Sequence, residues 1–539
     1  MKKRAFLCSM VVGLMVSAIF TSRSMAAEFH VTTASGFQAA LDIAGTNGED
    51  DIVTLGPGIY EGNFVYGPGF AEHKSLMIVG EPGTGPMDII LDGQNSGRVL
   101  YILDNFDGPL AEIKIIGITA KNGNSPIAGG GIDILATWYN LYVLNCIITD
   151  NTAAALGGGL YIDTNQDLYL QNNLIMNNTV TESGTTPYAG DSRGGGAMLF
   201  ARGGTYTIQN NIIANNSALG TVDPAGGGLY IGYTIGDTID AIGNTIVNNQ
   251  AGRGGGVLVN PVSTVNLCNN IVYGNAAIQG EDIWLHANTP TRTGYNNNYS
   301  DIYGSWTDSE NNLNMDPLFV SPKNNDYHLR PNSPMVNAGK SDVPSPPGLP
   351  VTDFEGDPRS YGEAPDMGAD EFAGDKYYPQ EGTFGSQIAL LRSGFGIKKG
   401  KVLLGSSALK VLEWTEETIR CQLAKAISPG AYDVTIQPKG LDQIVIENGF
   451  TVKAPEIRSI NSNSGSAGEE IRIHGFFFGT KKGKVTLGGK TCKVRSWIMD
   501  PTSGQSEIRF VVPKAFSLGT QELKVINKIG EDTESFTVN

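Results

Sequence analysis

Four side chains set around a series of glycine runs are of the types that polysaccharide chemistry uses: the carboxylates Asp133 and Asp163 and the guanidinium groups Arg193 and Arg253. Asp133 is the second residue after the run 129–131, and Asp163 the fourth after the run 157–159. If successive runs open adjacent strands, about 5 to 10 Å separates the two acids, a spacing compatible with the paired carboxylates of a glycoside hydrolase. Arg193 and Arg253 each precede a run, where either can serve as the base of a lyase beside Ca2+-binding carboxylates; Asp191 is the nearest acid in sequence. All four also have plainer roles, the acids in turns or in solvent and the arginines as stems lying over a turn. Tyr161, Phe200 and Tyr230 fall at the same second and fourth places and offer another function, a flat aromatic platform for sugar rings. In the competing arrangement the inserted segments 179–193 and 217–225 fold over this stripe, because large apolar patches are rarely left exposed.

The elements that must position these residues are announced by repetition. Gly triplets begin at Gly129, Gly157, Gly194, Gly226 and Gly254, and stretches such as NNLIMNN and NNIIANN end at Asn151, Asn178, Asn216, Asn249 and Asn275, at intervals of 27, 38, 33 and 26 residues. Such a period means stacked supersecondary units, the shortest interval being the basic coil and the longer ones containing loops. A phosphate-binding loop needs one glycine run opening a helix, which five repeats of GGG before an apolar residue do not provide. Ile132, Leu160, Ala197, Leu229 and Val257 occupy the first place after each run and Ile134, Ile162, Leu199, Ile231 and Val259 the third, so both sets are expected to point inward. The glycines are then expected to permit close coil packing at φ values closed to other residues. The terminal asparagines are expected to form a side-chain amide ladder. Ahead of the repeats, Phe37, Ala40, Leu41 and Ala44 lie on one face of a short helix suited to capping the open end of a solenoid.

Composition sets the outer bounds. The 539 residues exceed one ordinary domain, and 70 glycines without a triplet period, among short alternating apolar runs, point to an all-β chain of many turns. Residues 1–27 read as a secretory signal peptide, with Lys2, Lys3 and Arg4 before an apolar stretch that ends in Ala26 and Ala27. Their removal takes away four basic residues and no acid, changing the net charge from −16 to −20, which repels nucleic acid and anionic lipid. No later segment is apolar enough to span a membrane. Cys146, Cys268, Cys421 and Cys492 remain and are expected as buried free thiols. The histidines, His30, His73, His286, His328 and His474, are scattered and no metal motif is present, so no cofactor is expected; Ca2+ enters only with the lyase reading.

Residues 28–372 resemble right-handed parallel β-helix proteins of the pectin-lyase-like superfamily, and the GGG plus N-x-I-[IV]-x-x-N rhythm is similar to the repeats of polymorphic outer-membrane proteins. DPLF (316–319), DYHL (326–329), SPMVNAG (333–339) and PDMGADEF (365–372) look like the closing region of choice-of-anchor Q proteins. These motifs identify a scaffold and no reaction. Beyond them, GFGIKKGKVLLG (394–405) matches FFGTKKGKVTLG (477–488) at a shift of 83 residues that also carries Trp414 onto Trp497. The two copies, 375–453 and 454–539, resemble IPT/TIG domains of the immunoglobulin-like sandwich class, although EGTFG in the first replaces the SG-x-x-G start found in the second. The residues on this scaffold lead to the expectation of a secreted or cell-surface protein that binds a polysaccharide or surface glycan without cleaving it. The alternatives are a polysaccharide lyase or glycoside hydrolase acting on a long acidic polysaccharide, and a structural spacer or matrix component.

Overall fold

The structure is a computed structural model that describes residues 26–67, 73–104, 108, 110–181, 191–221, 223–232, 237–262, 264–343, 347–359, 363–372, 376–392, 395–514 and 517–539. Residues 1–25 of the expected signal peptide 1–27, and residues 182–190 of the first inserted segment, lie outside the described residues. The chain divides into two compact units, Met1–Leu329 with Ser333–Phe372, and Arg330–Asn332 with Ala373–Asn539.

In the first unit successive coils contribute short strands to three long all-parallel sheets, with a four-stranded and a two-stranded parallel sheet beside them, the architecture of a parallel β-helix. Sheet A has eleven strands, from Ala27–Val31 to Asp308–Glu310; sheet B has nine, from Gly58–Glu61 to Asn298–Tyr299; sheet C has nine, from Phe64–Tyr66 to Ile302–Tyr303. The register follows the sequence repeat, with Ile132 on Leu160, Leu160 on Ala197, Ala197 on Leu229 and Leu229 on Val257. These residues and those two places further on are at most 2% exposed and form one continuous core. Strand alternation sends the intervening side chains outward.

The glycines and asparagines divide the work of the turns between them. Only the first glycine of each triplet is left-handed, as at Gly157 (φ 56°). The second and third are excluded from bearing a Cβ by crowding: at Gly158 it would lie 2.4 Å from Gly195 O, and at Gly159 2.7 Å from the side chain of Asn178. The expectation about φ therefore holds for one glycine in three, and close approach accounts for the others. Asparagine pairs behave alike. Asn177 holds the left-handed conformation (φ 56°), and Asn178 enters the ladder. Asn178 Nδ2 donates to Ile148 O (2.9 Å) and Asn216 Oδ1 (3.0 Å), while its Oδ1 accepts from Asn151 N (3.1 Å) and Asn151 Nδ2 (3.0 Å). The chain of amides runs Asn151, Asn178, Asn216, Asn249, Asn275 and ends on Asp282. A second ladder, Asn173, Asn211, Asn244, Asn270, Asn297 and Asn312, runs beside the expected one; its signal is the asparagine pair at the other end of NNLIMNN.

The N-terminal opening of the core is closed by helix α1 (Ala34–Ala44), started by Thr33 Oγ1 accepting from Gly36 N and burying Phe37, Ala40, Leu41 and Ala44. The closing region pairs Phe319–Ser321 with Asp326–Leu329 and lays Phe319, Tyr327, Leu329, Met335 and Met367 against Ala214, Val247 and Ile271 on the outward side of sheet B. Arg359, 2% exposed, fastens it by donating from Nη2 to Asn210 Oδ1 (2.6 Å), Gly243 O (3.3 Å) and Gly368 O (2.6 Å).

In the second unit the two copies have the same topology, a four-stranded and a five-stranded sheet with equivalent strand orders. Trp414 Nε1 donates to Gly396 O and Trp497 Nε1 to Gly479 O, both at 2.8 Å, each contact shifted by 83 residues from the other. Phe384 lies beneath the ammonium groups of Lys481 (5.5 Å) and Lys528 (5.0 Å) of the following copy. Two backbone bonds join the copies directly, Gln387 N donating to Pro501 O (2.7 Å) and Thr480 N to Phe384 O (3.3 Å). Cys146, Cys268, Cys421 and Cys492 are all buried and free.

Candidate functional site

Sheet C and the segments leading into it carry every side chain expected to act. Along the outward side of the sheet one row runs Tyr101, Asp133, Tyr161, Met198, Tyr230, Leu258, Trp284, Tyr303, and a second runs Leu103, Leu135, Asp163, Phe200, Gly232. Tyr161, Met198, Tyr230, Leu258 and Trp284 are buried together with Ala128, Ala155, Leu156 and Ala225, which belong to the segments leading into the triplets at Gly129, Gly157 and Gly226. Phe200 is partly buried against the same cluster. The sugar platform expected of Tyr161, Phe200 and Tyr230 is therefore corrected: these rings form a second core outside the coil. They are not neighbours either, since Met198 separates Tyr161 from Tyr230 and Phe200 stands in the other row. Arginines close the edges, with Arg193 over the ring of Tyr230 (5.6 Å), Arg202 over Phe200 (4.9 Å) and Arg253 over Trp284 (5.0 Å).

The charged candidates are tied up in the same covering. Asp133, 1% exposed, pairs with Arg98 Nε at 2.6 Å, and burial pushes its carboxyl up to about 7 against the opposing pull of Arg98. Asp163 pairs with Arg202 Nη2 at 2.7 Å, and burial again raises its carboxyl. Each acid of the expected pair thus faces its own guanidinium. Arg253 pairs with Asp223, and Arg193 lies against an aromatic ring, so both candidate lyase bases are engaged at the edge of the covered cluster.

Sheet A supplies a surface that the repeat motifs did not mark. Its outward row runs Met77, Lys114, Tyr142, Tyr169, Thr207, Asp240, Asn266, Thr293, one side chain per coil. Tyr142, Tyr169, Asn266 and Thr293 are half-buried, as are the flanking Glu112, Asn140, Asp167 and Gln171. Strand spacing puts Tyr142 and Tyr169 face to face, 4.7 Å apart and 5° from parallel, with Lys114 over the free side of Tyr142 at 4.8 Å. Tyr142 thus has a partner over each face, and its OH donates to Glu112 Oε1 (3.2 Å). Further along, Asn266 Nδ2 donates to Asp240 Oδ1 (2.7 Å) and Thr293 Oγ1 to Asn266 Oδ1 (2.7 Å), and burial raises the Asp240 carboxyl. The sequence held a signal for this row, since LYVL (141–144) and LYLQ (168–171) place a tyrosine at the same point of consecutive coils.

Residues 455–538 match the IPT/TIG domain family. No curated protein matches the chain. Solved structures to which the chain is similar include the surface glycan-binding protein PbSGBP-B from Prevotella bryantii, at 18% identity and TM-score 0.16, covering 29% of this chain and 40% of that one. A second is SGBP-B of the Bacteroides ovatus mixed-linkage glucan utilization locus, in complex with a mixed-linkage heptasaccharide, at 17% identity and TM-score 0.17, covering 30% and 43%. A third is the full extracellular region of plexin A4, at 15% identity and TM-score 0.21, covering 30% and 18%. The matches thus span less than half of each of these chains.

Proposed function

We propose that the protein is a secreted or surface-attached binder of an extended, neutral carbohydrate chain, held without cleavage along the outward side of sheet A. The carrying observation is two half-exposed pairs on neighbouring coils, Tyr142 with Tyr169 and Asn266 with Thr293, set on either side of the buried Thr207 and Asp240 and with Glu112, Asn140, Asp167 and Gln171 beside the first pair; within each pair donors and acceptors repeat at the strand spacing of about 4.8 Å. Among the described residues, sheet B at Ala214, Val247 and Ile271 and sheet C from Tyr161 to Trp284 are covered on their outward sides by apolar clusters instead. Neutrality follows from charge. Residues 28–372 contain 12 Lys and Arg against 37 Asp and Glu, a field that repels an acidic polysaccharide. Binding without cleavage is favoured because Asp133 and Asp163 are each held by an arginine within the covering of sheet C. The leader-like residues 1–27 support export, and the closing motifs support a scaffold of the pectin-lyase-like, choice-of-anchor Q type.

The test is retention of the full chain on a panel of neutral and acidic polysaccharides, with new reducing and unsaturated ends scored in the same samples. Retention by a neutral glycan, lost in a folded Tyr142→Ala/Tyr169→Ala double variant, is the expected result. Equal retention by that variant would move the site elsewhere, and the appearance of new chain ends would replace binding by cleavage.

A further inference from the structure

Outside sheet A, the closing region brings together side chains that lie far apart in sequence. His328 comes from the strand Asp326–Leu329, Glu355 from the turn that follows Asp353, and Asp370 from the segment 365–372. One donor atom from each, an imidazole nitrogen and two carboxylate oxygens, lies within 4.8 Å of the other two. Asp326 Oδ1 is 2.7 Å from His328 Nδ1, which leaves Nε2 on the side of Glu355, at 2.9 Å from Oε1. The Asp370 carboxylate is fixed in turn, accepting from Leu329 N on Oδ2 at 2.8 Å.

The grouping has the parts of a metal site in two layers. Three ligand atoms converge, and behind the histidine a carboxylate sets the tautomer and the ring orientation, the arrangement that metal-bound imidazoles require. Charge points the same way. Asp326, Glu355 and Asp370 place three carboxylates around one imidazole, so even its protonated form leaves an excess of negative charge that a divalent ion would neutralise. The nearby Arg359 directs Nη2 to Asn210, Gly243 and Gly368, pairs through Nη1 with Glu371 (3.7 Å) and offsets part of the charge of Asp370. One nitrogen with two carboxylates suits Zn2+ or Mn2+ better than Ca2+ or Mg2+, which take all-oxygen sets.

We propose that His328, Glu355 and Asp370 bind one divalent ion of the zinc or manganese class, with Asp326 as the positioning residue, and that the ion pins the closing region to its own strand pair. The competing arrangement is an imidazolium held by the same carboxylates with no ion.

The full chain, stripped with a chelator, is titrated with Zn2+ and with Mn2+ by calorimetry, while the imidazole resonances of its histidines are followed by NMR. The expected result is one saturable equivalent, a higher thermal midpoint in the presence of metal, and broadening by Mn2+ of the His328 resonance ahead of the others. Glu355→Gln is expected to weaken binding at least tenfold in a folded protein, and Asp326→Asn by about tenfold or more. Absence of saturable binding up to millimolar metal would overturn the proposal. So would binding that leaves the His328 resonance sharp, a measurement that needs no variant to fold.

Discussion

The outward sides of sheets A and C are built by the same repeat, on the same coils and with tyrosines in both, yet they have opposite fates. On sheet C the row of Tyr161, Met198, Tyr230, Leu258 and Trp284 is sealed under Ala128, Ala155, Leu156 and Ala225 and becomes a core of its own. On sheet A Tyr142, Tyr169, Asn266 and Thr293 stay half-exposed, while Met77, Lys114, Thr207 and Asp240 of the same row are buried. The difference lies less in the strands than in what leads into them. The segments before the triplets at Gly129, Gly157 and Gly226 carry small apolar residues that fold back over sheet C, whereas on sheet A burial of the outward row is confined to Met77, Lys114, Thr207 and Asp240 among its eight residues. An aromatic residue on the outside of a solenoid is thus a poor marker of a binding site until its covering is known. Coil stacking adds a second limit, because register-paired rings turn their faces to each other, as Tyr142 does to Tyr169 and Trp284 to Tyr303.

The comparison breaks most visibly at Tyr230, 2% exposed on the covered side. Tyr230→Ala is expected to cost about 3 to 5 kcal/mol of stability, seen as a large fall in the thermal midpoint of the solenoid. A shift worth less than about 1 kcal/mol would mean that the covering of sheet C is not a packed core.

Asp133, beneath the same covering, gives a pH signature. Its folded-state carboxyl lies near 7, above the ordinary 3.8, so the folded chain holds the proton more tightly than the unfolded one. Below pH 3.8 both states are protonated and no penalty exists; as pH rises toward 7 the unfolded chain ionises first and stability falls. Relative to Asp133→Asn, the native chain is expected to lose on the order of a few kcal/mol across that window. A difference independent of pH would show that the pull of Arg98 cancels the effect of burial on Asp133.

The ladder serves both sides and should respond in proportion to the bonds removed. Asn178→Leu leaves backbone groups of Ile148 and Asn151 without their amide partner and is expected to cost about 2 kcal/mol or more, read by chemical denaturation. Little change would mean that water replaces the amide.

The smallest effect on stability is expected on the open side. Tyr169→Ala removes a half-buried ring and one stacking partner, for about 1 kcal/mol of stability, while glycan retention falls several-fold. A loss of stability like that at Tyr230 would place Tyr169 in a core and remove the contrast between the two sheets.

What the sequence determined by itself is everything that recurs with the coil. The inward places after each Gly triplet, the ladder ending in Asn178 and its equivalents, the cap helix over Phe37 and Leu41, and the 83-residue repeat of the C-terminal copies are legible, because local periodicity and turn chemistry enforce them. Even there, the second ladder through Asn173 lies beyond that reading, and crowding supplies a cause for the glycines that φ alone does not. Only the tertiary structure decided the sites. It roofed Tyr161 and Tyr230, gave Asp133 and Asp163 to separate arginines, and set His328 beside Glu355 and Asp370, residues 27 and 42 positions further along the chain. The physical reason is that a repeat fixes which way a side chain points from its own coil. What it then meets depends on segments outside the repeat, whose packing follows from contacts distant in sequence.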